Sequence, residues 1–199
     1  DCIACPAGKY STVPSAQSIE TCTDCEVGKY ASASGNAAES ACVSCGPGKY
    51  SPNAGASSMS ACILCAAGKY LETSGNDAEA DCVSCGAGKY SDALGATSAG
   101  QCTDCPAGKH AQTSSNQDES SCIACDAGKY SNISGATNED VCLPCSAGKY
   151  LATTGNDAQS DCVVCPPGRY STAIGAISNS TCRKCGRGKY LQTSGNDAE

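Results

Sequence analysis

The 199-residue chain has no tryptophan and no phenylalanine, one methionine and one histidine. Val, Ile, Leu and Met together supply 21 residues. That is about half the share below which a chain stays disordered unless something other than an apolar core holds it. A large greasy interior is excluded. His110 has no second histidine to assist it, and no Ser/His/Asp set, paired catalytic carboxylates or phosphate loop rises above the repeated background, so the chain reads as non-enzymatic. Basic stripes are missing too. Lys and Arg number 13 against 20 Asp and Glu, a net charge of −7. Ten of the cations are periodic and only Arg183, Lys184 and Arg187 cluster, which argues against nucleic-acid binding. No apolar run approaches the ~20 residues of a membrane helix, so no membrane insertion is expected within this stretch. A signal peptide and an initiator Met are absent. The chain starts one residue before a cysteine pair and stops just before the next is due, so it is expected to be a window of a longer polypeptide.

What the chain has is cysteine, 20 residues of it, in a strict repeat. Cys-x-x-Cys followed two residues later by Gly-Lys-Tyr recurs every twenty residues, from Cys2, Cys5, Gly8, Lys9 and Tyr10 to Cys182, Cys185, Gly188, Lys189 and Tyr190. Nothing is inserted or lost in register. The expected organisation is one continuous array over 1–199, with repeats 2–21, 22–41, 42–61, 62–81, 82–101, 102–121, 122–141, 142–161, 162–181 and an incomplete 182–199. An enzyme needs unique residues converging on one place. A periodic chain offers the same surface again and again, which suits a rod, a filament or a multivalent binder.

Two repeat types alternate. One reads Leu71 to Asp81 after its Tyr, recurs from Leu151 and Leu191, and has looser copies from Ala31 and Ala111. The other has Ser after the Tyr and Ala after a middle Gly, as in Ser91 and Gly95-Ala96. A forty-residue superperiod is one reading, with repeats facing alternate sides of a rod; inherited duplication is the other. Each repeat carries two turn signals, the Gly of Gly-Lys-Tyr and the middle Gly, replaced by Ser15 and Ser115 in two repeats. Asn36/Glu39, Asn76/Glu79, Asn116/Glu119, Asn156/Gln159 and Asn196/Glu199 have capping-box spacing and predict one helical turn leading into the next cysteines. The fold class is therefore small disulfide-rich repeats in an elongated rod-like solenoid of ten modules, with short strands, single helical turns and little regular structure.

Three chemistries compete for the cysteines. Small folds that cannot bury enough apolar area use disulfides as staples, in an oxidising, extracellular compartment. Two Cys-x2-Cys pairs also match a four-thiolate zinc site, but the unvarying spacing marks no pair as partner of the next. Thioredoxin-like redox work needs one exposed low-pKa thiol at a helix start, which ten equal copies do not fit. Disulfides are favoured. Their connectivity does not follow from counting. A ladder, a crossed block pairing Cys2–Cys22 and Cys5–Cys25, and self-closed Cys-x-x-Cys loops all respect the period.

The run Cys5-Pro6-Ala7-Gly8-Lys9-Tyr10 with Cys22-x-x-Cys25 resembles the first small module of tumour-necrosis-factor-receptor-type cysteine-rich domains, and equally the ephrin-receptor-like cysteine-rich repeats of extracellular proteins. The similarity extends over all ten repeats. In the receptor-type module the Cys before Pro-x-Gly-x-Tyr bonds the next Cys along. That resemblance implies a ladder: Cys5–Cys22, Cys25–Cys42, Cys45–Cys62, Cys65–Cys82, Cys85–Cys102, Cys105–Cys122, Cys125–Cys142, Cys145–Cys162 and Cys165–Cys182, with Cys2 and Cys185 paired outside the window. The receptors interleave a second, two-disulfide module that is absent here, so their ligand contacts do not transfer. Each ladder bond closes a loop of about 18 residues, worth roughly 3 kcal/mol. Summed along the array this exceeds what one Tyr and one or two aliphatics per repeat supply at ~25 cal/mol per Å².

The remaining periodic residues fit a supporting role. Tyr10, Tyr30, Tyr50, Tyr70, Tyr90, Tyr130, Tyr150, Tyr170 and Tyr190 are expected to form a structural spine, each ring covering a disulfide and touching the neighbouring repeat, with His110 replacing Tyr in one slot. The residue inside each cysteine pair is mostly aliphatic (Ile3, Val43, Ile63, Val83, Ile123, Leu143, Val163) and is expected to fill a gap between loops; Thr23, Thr103 and Arg183 depart from the rule. The periodic Lys is expected to cap a turn, pair with acids or serve contacts between rods. Asn76, Asp77, Glu79 and Asp81 form an oxygen-rich cluster that fits Ca2+ weakly, with Asp157 and Asp161 repeating it in part. A capped turn in solvent is the preferred reading, and no resident metal or cofactor is expected. Asn132-Ile133-Ser134 and Asn179-Ser180-Thr181 are N-glycosylation sequons. The leading expectation is an extracellular structural protein, a glycosylated rod forming or lining a surface filament with copies of itself and glycans as partners. The alternative is a stalk or multivalent binding ectodomain of a cell-surface receptor, adhesion protein or surface antigen.

Overall fold

The structure, a computed structural model, describes residues 2–198. Two units are distinguished, Asp1–Cys85 with Ser91–Cys102, and Gly86–Tyr90 with Thr103–Glu199. Both are built from one module. In the first unit, Lys69–Tyr70 pairs antiparallel with Val83–Ser84, Lys69 opposite Ser84 and Tyr70 opposite Val83. Between them the chain turns at Gly75 and winds through the 3-10 turn Glu79–Asp81. In the second unit, Lys149–Tyr150 pairs with Val163–Val164 in the same way, around the turn Gln159–Asp161. Among the described residues, every strand is two residues long and every helical element is a three-residue 3-10 turn. Short elements suit a chain whose period places a turn glycine or a cysteine every few residues.

Backbone hydrogen bonds join each module to those that follow. Within the first unit, Cys85 N donates to Gly68 O (2.8 Å), Gly68 N to Ser91 O (2.8 Å) and Leu71 N to Ala96 O (2.9 Å). Gly75 N reaches back to Cys45 O (2.8 Å). Contacts also skip a module. In the second unit Gly88 has φ 77°, and a Cβ there would collide with the carbonyl of Gly135, which itself has φ 68°. Only a glycine fits this close approach. The same relation joins Gly8 to Gly55 and Gly48 to Gly95 in the first unit, and Gly128 to Gly175 in the second.

The core is thin and mostly sulfur. Cys25, Cys45, Cys65, Cys105, Cys145 and Cys165 are fully buried. The residue after each Tyr joins them, alternately apolar (Ala31, Leu71, Ala111, Leu151) and Ser (Ser51, Ser91, Ser131, Ser171). This alternation has a matching partner. Leu71 N donates to Ala96 O and Leu151 N to Ala176 O, whereas Ser51 N donates to Asn76 O and Ser171 N to Asn196 O. Apolar therefore sits with Ala and Ser with Asn, which gives the two repeat types a packing role.

Two expectations are corrected. The aliphatics inside the cysteine pairs do not fill gaps: Val43, Ile63, Val83, Ile123, Leu143 and Val163 are all about half exposed. From Cys42/Cys45 to Cys162/Cys165 both cysteines of each pair are buried, so the two residues between them bow outward into the strand that faces Lys and Tyr. The Asn residues are not helix caps either. The turns start three residues later, at Glu39 and Glu79, with Ala38 and Ala78 at the cap position. Asn36 Nδ2 instead donates to Ala33 O (2.8 Å) and to Lys9 O (3.0 Å), closing the middle turn onto the previous repeat. The cap comes from the other end, where Asp81 Oδ2 accepts from Ala78 N (3.0 Å).

Candidate functional site

The repeated feature is a ladder of covalent rungs, alternate ones of which lie under a tyrosine ring. The structure joins the second Cys of each pair to the first Cys of the next, from Cys5–Cys22 through Cys165–Cys182, with Cα–Cα spans of 5.6–5.8 Å. These spans sit at the preferred separation for a disulfide. Cys2 is exposed and Cys185 half-buried, and neither is bridged to another described residue. The bridged sulfurs are unavailable as zinc ligands or redox nucleophiles, which removes both competing chemistries for those cysteines.

Four tyrosines pack over the rung that follows them. In the first unit Tyr10 packs against Cys25, Ala31 and Cys42, and Tyr50 against Cys65, Leu71 and Cys82. In the second, Tyr90 packs against Cys105, Ala111 and Cys122, and Tyr130 against Cys145, Leu151 and Cys162. Tyr30, Tyr70, Tyr150 and Tyr170 are half-buried, whereas Tyr190 is exposed. His110 takes the Tyr position opposite Ile123 and is buried, with Nδ1 lacking a hydrogen-bond partner. Beside this smaller ring lies a cleft of about 170 Å³ bordered by Gln112, Ile123, Lys129 and Glu139.

The periodic lysines line up with acids of the following segment. Lys29 reaches Glu39 (3.0 Å) and Glu26 (3.1 Å), Lys69 reaches Glu79 (3.0 Å), Lys109 reaches Glu119 (2.7 Å) and Lys9 reaches Asp24 (3.0 Å). Hydrogen bonds that Lys29 Nζ donates to Glu39 and then to Glu26 hold its pKa above the ordinary lysine value. Arg169 departs from this pattern, donating from Nη1 to Cys182 O (2.9 Å). The oxygen-rich cluster is dispersed over other tasks. Asn76 bonds Thr73, Glu79 pairs with Lys69, and Asp81 caps the turn. Among the described residues, no three His, Cys, Asp or Glu side chains are grouped to hold a metal. Asn132 and Asn179 are both exposed, Asn179 opening the turn Asn179–Thr181.

A family model described as tyrosine-protein kinase ephrin type A/B receptor-like matches residues 138–182. The matched stretch contains the rungs Cys145–Cys162 and Cys165–Cys182 with their Gly-Lys/Arg-Tyr turns. Over this stretch the chain is similar to ephrin-receptor-like cysteine-rich repeats. The same rung, hairpin and turn recur outside the matched stretch, as in Cys25–Cys42 with Lys29–Tyr30 against Val43–Ser44. Ephrin-receptor-like repeats are extracellular disulfide-rich domains and typically non-enzymatic. No curated protein matches the chain. No helix among the described residues is long and apolar enough to cross a membrane. Sequence reasoning missed the buried residue after each Tyr and its Ala or Asn partner. The signal lay in the alternation of the two repeat types, legible only once the pairing across repeats is known.

Proposed function

We propose that the chain is an extracellular structural protein, a disulfide-laddered, glycosylated rod that forms or lines a surface filament. One continuous array, copies of the chain as partners, and glycans at Asn132 and Asn179 belong to this reading. Register supports it most. The bond from each turn glycine N–H to the carbonyl of the residue after the next Tyr recurs within each unit at 2.7–2.9 Å, from Gly8–Ala31 to Gly168–Leu191. Equal repeats give equal rise and rotation, and such a chain stacks on shifted copies and grows without closing. Electron microscopy of native material tests this: filaments with a regular axial repeat are expected, and isolated monomers overturn it. Mass spectrometry before and after N-glycosidase tests the sequons.

The second reading is a stalk or multivalent ectodomain of a receptor, adhesion protein or surface antigen. The similarity of residues 138–182 to a family described as receptor-like tyrosine-protein kinases favours it. A membrane span or kinase domain in the full-length chain would decide for this reading, and many further equal repeats for the first.

A further inference from the structure

Most periodic lysines find an acid within their own chain, ten residues on (Glu39 for Lys29, Glu79 for Lys69) or fifteen residues on (Asp24 for Lys9). Around Lys49 both places are apolar: Met59 stands ten residues on and Leu64 fifteen. Leu64 lies directly across the strand from Lys49, and its Cδ2 sits so close over Gly95 that a Cβ there would collide. Leu94, just before that glycine, is 66 % exposed, Met59 58 % and Leu64 45 %. Asp92, two residues before Leu94, is exposed. Neither Lys49 nor Asp92 has an ion-pair partner among the described residues. One loop and one hairpin of the first unit thus present an unpaired cation, three exposed apolar side chains and an unpaired acid.

We infer that this patch is a self-complementary contact for a second copy of the chain. Under a two-fold rotation the Met59, Leu64 and Leu94 side chains of two copies meet, and Lys49 of each faces Asp92 of the other. An isologous contact needs both signs of charge within one patch, because each residue meets the other's counterpart. This patch has one of each, flanking apolar area. The corresponding place in the second unit lacks the set. Lys149 also faces an aliphatic, Val164, but Gln192 and Ser194 stand where Asp92 and Leu94 would be. The inference rests on the self-assembly proposed above and names a surface that pairs two chains side by side, while growth along a filament needs a further, heterologous contact.

Sedimentation velocity of the secreted, oxidised chain over a concentration series tests it. K49E alone and D92K alone each set like charges against each other and weaken association by at least about tenfold. An equimolar mixture of the two variants recovers it, because each contact of the mixed pair joins opposite charges. K149E leaves it unchanged. Disulfide mapping of each variant establishes that the rungs are intact. A chain monomeric at every concentration, equal losses in K49E and K149E, or no recovery in the mixture overturns the inference. Native filaments whose assembly is indifferent to K49E would remove this contact and leave the filament reading standing. Paired copies that respond as expected, without native filaments, would do the reverse.

Discussion

Replacing one rung measures how much of the fold is sulfur. Cys65 and Cys82 are separated by 17 positions, so their bond closes a ring of about 18 residues and restrains the unfolded chain by roughly 3 kcal/mol. The preceding ring ends at Cys62 and the following one starts at Cys85. The rings do not overlap, and the loss stays with one module and the neighbours hydrogen-bonded to it. The double variant Cys65→Ser/Cys82→Ser leaves no stray thiol. It is expected to speed native-state hydrogen exchange about a hundredfold at the amides of Leu71 and Cys85, which bond Ala96 and Gly68, the local equivalent of about 3 kcal/mol. The amide of Leu151, which bonds Ala176 within the second unit, is expected to keep its protection. Unchanged protection at Leu71 would show that the backbone bonds hold the module without sulfur. Equal loss at Leu151 would refute the nearest-neighbour picture.

His110→Tyr restores the ring found in the other repeats and removes a buried nitrogen without a partner; thermal unfolding should show a gain of about 1–2 kcal/mol. Gly88→Ala puts a Cβ against the Gly135 carbonyl at positive φ and should cost about 2 kcal/mol or more, whereas Gly86→Ala, with open space around it, should stay within about 0.5 kcal/mol in the same assay. Because the Lys29 pKa is raised above 10.5 when folded, its ion pairs contribute fully below the free-lysine value and fade as pH climbs through the raised one. NMR titration of the Lys29 side chain should show the midpoint falling in Glu39→Gln, and an unchanged midpoint would remove Glu39 as the cause.

Period and turn chemistry were legible because they are local. The turn glycines take positive φ where the sequence placed them, and Ser15 and Ser115 follow at φ 54° and 61°. Acid pairing was one of three roles left open for the lysines; strand pairing sets Lys9 opposite Asp24, but Lys29 and Lys69 reach acids ten residues on, in the following turn. The aliphatics of the cysteine pairs misled because hydrophobicity alone does not say which way a two-residue strand points. With Cys82 and Cys85 both turned inward, Val83 has only the outside left. The Asn residues misled because a capping motif and a turn-closing amide share one spacing. Nothing in the sequence pointed to the approach of Gly88 to Gly135, which spans 47 positions and depends on how three successive modules stack.

Consecutive, non-overlapping rings also decide how the chain bears tension. A force applied at its ends enters each module through one bridge and leaves by the two-residue link to the next, bypassing the sixteen residues looped between. Per twenty residues the load-bearing path is a 5.8 Å Cα–Cα span at Cys65–Cys82 plus about 10 Å of link, against about 68 Å for an unbridged stretch. Such a tether is capped at about 16 Å per twenty residues even when its modules lose their hydrogen bonds. A proteolytic cut inside a loop leaves it continuous, and only a cut in a link, such as between Cys82 and Cys85, severs it.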